Sequence, residues 1–245
     1  MEGLLNLPYS RYVALLGLDF AIVLCSAYLL FSLRRRALEV SDTPVSKIRS
    51  AAQGYVALSG IQMNPKGETL LTKMGRRPCT WCRIKSYTYN EAGQKQEYVE
   101  TSNMFIRIID GTGECLIDPA KAEIVGTQKD IWIGEIASPS TLCNNVFKRM
   151  LFSFFKPSAS RYEETYFVPT TQLYALGKFV TITNADNQHE HMLLPDDESH
   201  YPFVLSGLDE EDLSFEYKCR LGAYAFVFTV TFCILETMLY FRGLS

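Results

Sequence analysis

The sequence predicts a mainly β (α+β) fold: one or two small β-barrel subdomains flanked by two transmembrane helices. Three observations carry this expectation. Tyr12–Leu33 and Gly222–Phe241 are apolar runs of about 22 and about 20 residues, roughly 33 and 30 Å as helices, each long enough to span a bilayer. Between them, the apolar runs Phe105–Ile109 and Glu114–Ile117 flank Asp110-Gly111-Thr112-Gly113. Gly at the second and fourth of those positions offers positive φ and the Asp side chain can close the turn, a strong hairpin signature. Finally, strand-like alternation bounded by turn residues recurs through the polar middle of the chain.

Residues 1–11 form a short tail and 12–33 the first span. A cleaved leader would carry basic residues before its apolar run and small residues after it. Here Arg11 alone precedes the run and Arg34-Arg35-Arg36 follow it, so the segment is expected to stay as an anchor. Gly17, Ala21 and Cys25 make a ridge of small residues that would allow self-association through the transmembrane helices. Asp19 and Glu236 are the acids within the two spans. In an antiparallel pair they would share one leaflet, at depths differing by only ~3 Å. Such carboxyls point either to a partner, pathway or shared proton, or simply to hydration near the interface.

Residues 34–50 read as a basic linker and 51–215 as the β-rich domain, with possible sub-units at 51–125 and 160–207. Gln53–Gln62 alternates as a strand, and Gly75-Arg76-Arg77-Pro78 as a turn. Cys79–Tyr89 alternates again, with Trp81, Arg83, Lys85, Tyr87 and Tyr89 on one face, and Asn90–Gln96 is a polar hairpin tip. Asp118-Pro119 stops the strand before it, since Pro cannot donate to a ladder. Ala122–Val125 and Ile131–Ile136 are short strands, Ser138–Ser140 a turn, and Asn145–Phe155 a basic, Phe-rich amphipathic helix. That helix would lie on the membrane surface or pack on the domain. Leu173–Thr183 (bent at Gly177), His189–Leu194 and Phe203–Ser206 are further strands. Two β units in this order give either two small barrels or one barrel with a large insertion. Leu208–Phe215 carries Asp209, Glu210, Glu211 and Asp212, suited to a first helical turn. Residues 216–221 then connect to the second span, 222–241, and the tail 242–245.

The basic residues Arg34, Arg35, Arg36, Lys47, Lys218 and Arg220 lie on the domain side of the spans, against Arg11 and Arg242 on the tail sides. The positive-inside rule therefore puts the domain in the cytoplasm of a two-pass integral membrane protein.

Candidate chemistry is sparse. Cys79-Thr80-Trp81-Cys82 is a C-x-x-C without a second pair to complete a zinc site. On a strand its two thiols would point to opposite faces, and two structural thiols are the expectation. His189 and His191 would share a strand face and, with Cys79 and Cys82, are the weak metal candidates. No nucleophile elbow, phosphate loop or H-E-x-x-H is present, so no catalytic residue, resident metal or cofactor is expected. Trp81, Tyr87, Tyr89, Arg83 and Lys85 could make an aromatic, basic platform of the kind an OB-like barrel offers to single-stranded nucleic acid. The pI of about 5.7 disfavours that partner.

Taken together the motifs resemble the GIDE domain, also called BAM ("beside a membrane"). Gly54-Tyr55-Val56-x-Leu58-x-Gly60, Gly75-Arg76-x-Pro78-Cys79-x-Trp81 and Asp110-Gly111-Thr112-Gly113-x-Cys115-Leu116-Ile117-Asp118-Pro119 carry the resemblance. Tyr162-x-Glu164, Pro169, Leu173-Tyr174-x-Leu176-Gly177 and Pro202-Phe203-Val204-Leu205-Ser206 continue it over most of residues 50–215. The layout is similar to mitochondrial membrane-anchored E3 ubiquitin ligases, in which the domain faces the intermembrane space; that analogy implies the side opposite to the charge rule. Those ligases end in a RING that binds two zincs, whereas this sequence reaches Ser245 without such a Cys/His cluster, as bacterial GIDE-domain proteins do. The expected function is thus a membrane-anchored protein-binding or scaffold module whose partners are the bilayer and an unidentified protein. E3 ubiquitin-protein ligase-related activity is the alternative, and a membrane-tethered nucleic-acid-binding module the second.

Overall fold

The computed structural model describes residues 9–65, 68–89, 95–133, 161–183, 189–196 and 201–243. The expected turn at Ser138–Ser140 and helix at Asn145–Phe155 lie outside these, as do residues 90–94 of the expected tip Asn90–Gln96 and 134–136 of the expected strand Ile131–Ile136, while Lys95 and Gln96 belong to a strand. The chain forms two units, a helical one (Met1–Thr43 with Glu210–Ser245) and a β unit (Pro44–Asp209).

In the helical unit, α1 (Tyr9–Asp42) and α2 (Glu210–Gly243) run antiparallel, the Tyr12 hydroxyl donating to the Met238 carbonyl at 2.8 Å. Between Ser10 and Ser26 the less exposed positions of α1 are Tyr12, Leu16, Asp19, Val23 and Ser26, in steps of four and three. That 3.5-residue period keeps one stripe turned to a partner helix. The remaining faces are apolar yet open, Phe31 at 73% and Phe226 at 71% exposure. Side chains of that kind belong against lipid rather than water. Thr229, Thr231 and Thr237 return their hydroxyls to carbonyls one turn back, at 2.6 to 3.0 Å, so these side chains bring no unsatisfied donor into an apolar phase. Both helices are long and apolar enough to cross a membrane.

The helices overrun the expected boundaries. α1 continues through the Arg triplet to Asp42, so residues 34–42 are helix rather than linker. Ala37-Leu38-Glu39 are good helix formers, and Thr43 ends the run because a residue before Pro44 is disfavoured in helical geometry. α2 likewise contains the expected connector 216–221, and it begins with Glu210, Glu211 and Asp212, where the helix dipole favours negative charge.

The β unit starts at Pro44, earlier than residue 51. β1 (Val45–Ser46) pairs parallel with β2 (Gly54–Met63), and a 3-10 turn at Ile48–Ser50 sinks Ile48 into the core. A small hairpin follows, β3 (Leu70–Leu71) with β4 (Pro78–Cys79), and then β5 (Trp81–Tyr89) and β6 (Lys95–Thr101). The Asp110–Gly113 hairpin joins β7 (Ile106–Ile109) to β8 (Glu114–Ile117), with Ile109 opposite Glu114. β9 (Glu123–Val125) and β10 (Gln128–Ile133) come next, the latter starting three residues before the expected Ile131. β11 (Arg161–Phe167), β12 (Gln172–Thr183), β13 (His189–Leu194) and β14 (Val204–Ser206) complete the unit.

Five of these strands close a ring, β2-β7-β8-β13-β12 and back to β2. The closing seam is antiparallel, from Ile61 opposite Gln172 to Gly54 opposite Phe179, while β8 and β13 pair parallel. Numbered within the barrel the order is 1-2-3-5-4-1, an OB-type Greek-key barrel. The ranges 51–125 and 160–207 both supply strands to it, so they are one barrel, not two. Its two insertions, after β2 and after β8, meet in a separate antiparallel sheet of order β10-β11-β5-β6. Leu58, Ile106, Ile108, Ile117, Leu173 and Leu193 fill the barrel, and Trp81 and Phe167 extend the same core to the root of the second sheet.

Two glycines mark where the long strands change neighbours. On one edge β2 pairs with β1 at Ala57–Leu58 and with β7 from Ile61 onward; Gly60 lies between, and a Cβ there would sit 2.5 Å from the Ile109 carbonyl oxygen. β12 passes from β14 (Tyr174–Leu176) to β13 (from Lys178), and at the intervening Gly177 a Cβ would lie 2.7 Å from the Phe203 ring. The bend read at Gly177 is this change of partner. Because the obstacle at Gly60 is backbone, Gly60→Ala is expected to destabilise the β unit by about 1–3 kcal/mol. Gly17→Ala on α1, with nothing within 4 Å, should leave stability unchanged. Denaturant unfolding of the two variants, followed by Trp fluorescence, checks both.

Candidate functional site

The hairpin tip is a clamp. Asp110 Oδ1 accepts from the Thr112 amide (2.8 Å), the Thr112 hydroxyl (2.6 Å) and the Gly113 amide (3.1 Å), while Oδ2 accepts from the Ile48 amide at 2.8 Å. Thr112 Oγ1 also accepts from the Arg49 amide at 3.3 Å. One carboxylate thus closes its own turn and fastens the 3-10 turn to it. Gly111 has the expected positive φ of 80°. Gly113 does not; it serves close approach, since a Cβ there would stand 3.1 Å from Ile48 Cγ2. Asp118 ends β8 as expected, its Oδ1 accepting from the Ala120 amide at 3.0 Å across Pro119. Gly54, at φ 119°, opens β2.

A second cluster forms where the expected single strand Cys79–Tyr89 breaks at Thr80 into β4 and β5. The break is held by the Thr80 amide donating to the Phe167 carbonyl at 3.2 Å and by the buried Thr80 hydroxyl donating to Gln62 Oε1. Period-two alternation is lost across this bend. Cys79 and Cys82 consequently do not part to opposite faces: both pack in one buried cluster with Tyr166, Leu70 and Val168. Pro78 precedes the bend in β4. Trp81 sits 1% exposed in the core, 5.7 Å from the Phe167 ring, with the Arg83 guanidinium 5.0 Å over its indole. A ring so covered cannot stack a base, and the proposed aromatic platform loses its centre.

Glu164, which the sequence marks only as part of a motif, is the buried carboxylate of this region. Its two oxygens accept from the amides of Met74 and Gly75, each at 3.1 Å, fixing the 72–77 turn over β11. Beside it the Arg77 guanidinium donates to the Tyr166 hydroxyl (2.8 Å), which donates to Asp130 at 3.2 Å. The signal was a carboxylate at an inward register position of β11, between Tyr162 and Tyr166, but its partners lie about 90 residues away.

His189 and His191 do share a face. Each is hydrogen-bonded across the β12–β13 pair at 3.1 Å, to Thr183 and Thr181, and His191 stacks on Phe179 at 5.2 Å. They border a cavity of about 310 Å³ with Arg107 and Glu114. Among the described residues no group of three or more His, Cys, Asp or Glu is placed to hold a metal. Burial pushes the Cys115 thiol up to about 12, so it is an unreactive core group.

In the helical unit Asp19 lies on the α1–α2 seam with Oδ2 buried and unbonded, whereas Glu236 lies on the exposed side of α2. The two acids therefore do not lie on the same face of the helix pair, although the helices are antiparallel. The Gly17, Ala21, Cys25 ridge is likewise exposed, turned away from that seam.

Asp110 gives this region a defined acid response. Burial alone would raise its carboxyl, but hydrogen bonds from Thr112, Ile48 and Gly113 hold it below the usual carboxylate range. Its contribution is therefore complete above the unfolded value of ~3.9 and is lost as pH falls through the lower folded value. Asp110→Ala is expected to cost about 2–3 kcal/mol at neutral pH. It should also flatten the stability profile below pH ~4, where the native chain weakens; chemical denaturation across pH 2–7 reads both effects. No protein-family model matches the chain, and comparison with curated proteins finds no match.

Proposed function

We propose that the chain is a membrane-anchored protein-binding module of the GIDE-like type that its motifs resemble, held to the bilayer by α1 and α2. The supporting observation is the contrast between its two sheets. The barrel closes on itself, so its ring has no open edge. The second sheet stays open: among the described residues β6 pairs only with β5, and it exposes Tyr98 at 60% and Val99 at 48%. An exposed edge with aromatic and β-branched side chains accepts an extended segment of another protein as an added strand. The reading takes the β unit to be cytoplasmic, following the basic residues Arg34–Arg36, Lys47, Lys218 and Arg220. Ubiquitin transfer of the RING kind has less support, because no cluster of zinc ligands occurs among the described residues. Nucleic acid has less support because Trp81 is buried.

A photo-crosslinking amino acid at position 98, in membranes of the native host, tests the proposal. A protein adduct of discrete mass is expected at 98 and not at the exposed barrel position Ile182. Equal labelling at both positions, or none at either, would count against β6 as a docking edge.

A further inference from the structure

We propose that Cys79 and Cys82 are a reversible redox pair, a dithiol that closes to a disulfide by exchange with a low-molecular-weight disulfide. The proposal is independent of the docking role of β6.

Geometry is its basis. A C-x-x-C within an unbroken strand would separate its thiols, but the Thr80 bend packs both into one buried cluster. The bend does not depend on the sulfurs. The Thr80 amide is bonded to Phe167, the Thr80 hydroxyl to Gln62, the Asn64 side chain donates to the Cys79 carbonyl at 3.1 Å, and the Cys82 amide donates to Ser102 Oγ at 3.1 Å. The dithiol is therefore held in place in its reduced form, as a pair that must open and close repeatedly requires.

The two thiols are also unequal. Cys79 is fully buried against Leu70 and its thiol reaches the Leu70 carbonyl at 3.7 Å; Cys82 is 9% exposed. The Cys79 side chain beside it holds the Cys82 thiol below its ordinary value, against the burial and the Glu164 carboxylate that oppose ionisation, with Ser102 and Lys73 assisting. The Cys82 sulfur beside it, together with burial, pushes the Cys79 thiol far up. This asymmetry assigns the order of events. The Cys82 thiolate attacks one sulfur of the small disulfide RSSR, forming Cys82–SR and releasing RS⁻. Cys79 gives its proton to that RS⁻ and attacks the Cys82 sulfur. The Cys79–Cys82 bond forms, and the second RS⁻ leaves to take a proton from solvent. The two cysteines lose two electrons and RSSR gains them; a dithiol reductant reverses the sequence. Closure ties β4 to β5 across the bend and so restrains the 72–77 turn that Glu164 holds.

The test uses the full-length chain in lipid nanodiscs, equilibrated with reduced and oxidised glutathione over a wide range of ratios, then acid-quenched, alkylated and mapped by peptide mass spectrometry. Expected is the joint loss of both free thiols in one transition that follows [GSH]²/[GSSG]. Cys79→Ser should accumulate a glutathione mixed disulfide at Cys82, and Cys82→Ser should leave Cys79 reduced. Both thiols staying reduced at the most oxidising ratio while far-UV circular dichroism shows the fold intact would overturn the proposal. So would independent glutathionylation of each, or stoichiometric zinc binding that requires both. The wild-type titration decides even where a serine variant fails to fold.

Discussion

The antiparallel seam between β2 and β12 is the constraint on which the β unit depends. Its partners, Gly54–Ile61 and Gln172–Phe179, are brought together across more than 100 residues of intervening chain. Without it β2-β7-β8-β13-β12 is an open sheet with β2 and β12 as unpaired faces of the gap, and no barrel encloses the core. With it the ring closes and each insertion gains a fixed root. Local propensity cannot enforce such a pairing; inward-facing side chains and backbone clearance must. Leu58 and Leu173 supply the first, and the side-chain-free positions Gly60 and Gly177 the second. A seam of such long sequence separation forms late and slowly relative to local hairpins.

Closure also explains why polar groups are buried where they are. The insertions leave the barrel close to one another, and their backbones need partners that neither carries alone. Gln62 at the end of β2 bonds Thr80 at one insertion's bend and Thr171, at 2.8 Å, at the end of the other. Glu164 joins the 72–77 turn to β11 in the same way. Gln62 thus serves hydroxyl groups of two distant segments and Glu164 two amides of one distant turn, so loss of either would leave buried polar groups without a partner rather than remove a surface contact.

What was legible in the sequence was local. The β7–β8 hairpin could be read because Asp110-Gly111-Thr112-Gly113 combines turn chemistry with flanking alternation, and the two spans because apolar length is a one-dimensional property. Helix ends were misjudged because a basic triplet reads as an interface signal although it interrupts no helix. The Cys79–Cys82 arrangement escaped because alternation was extrapolated through Thr80, whose bend is imposed by Gln62 and Phe167 rather than by its neighbours. The second role of Asp110, bonding the Ile48 amide, and the burial of Glu164 were invisible for the same reason: both depend on partners brought in by topology. Gly113 is instructive, since a glycine assigned to torsional freedom proves to be needed for space.

The antiparallel packing of α1 against α2 has a thermodynamic consequence for the chain between them. A pair of helices that stays associated in the bilayer joins residues on either side of Pro44–Asp209, as a covalent cross-link would. The unfolded β unit is then a closed loop of about 170 residues, not an open chain. Polymer entropy for a loop of that length gives up to about 5 kcal/mol of reduced unfolded-state freedom, the scale of a long-range disulfide. The helix pair thus acts on the chain between as a staple, lowering the number of conformations that unfolding can reach without touching a single strand.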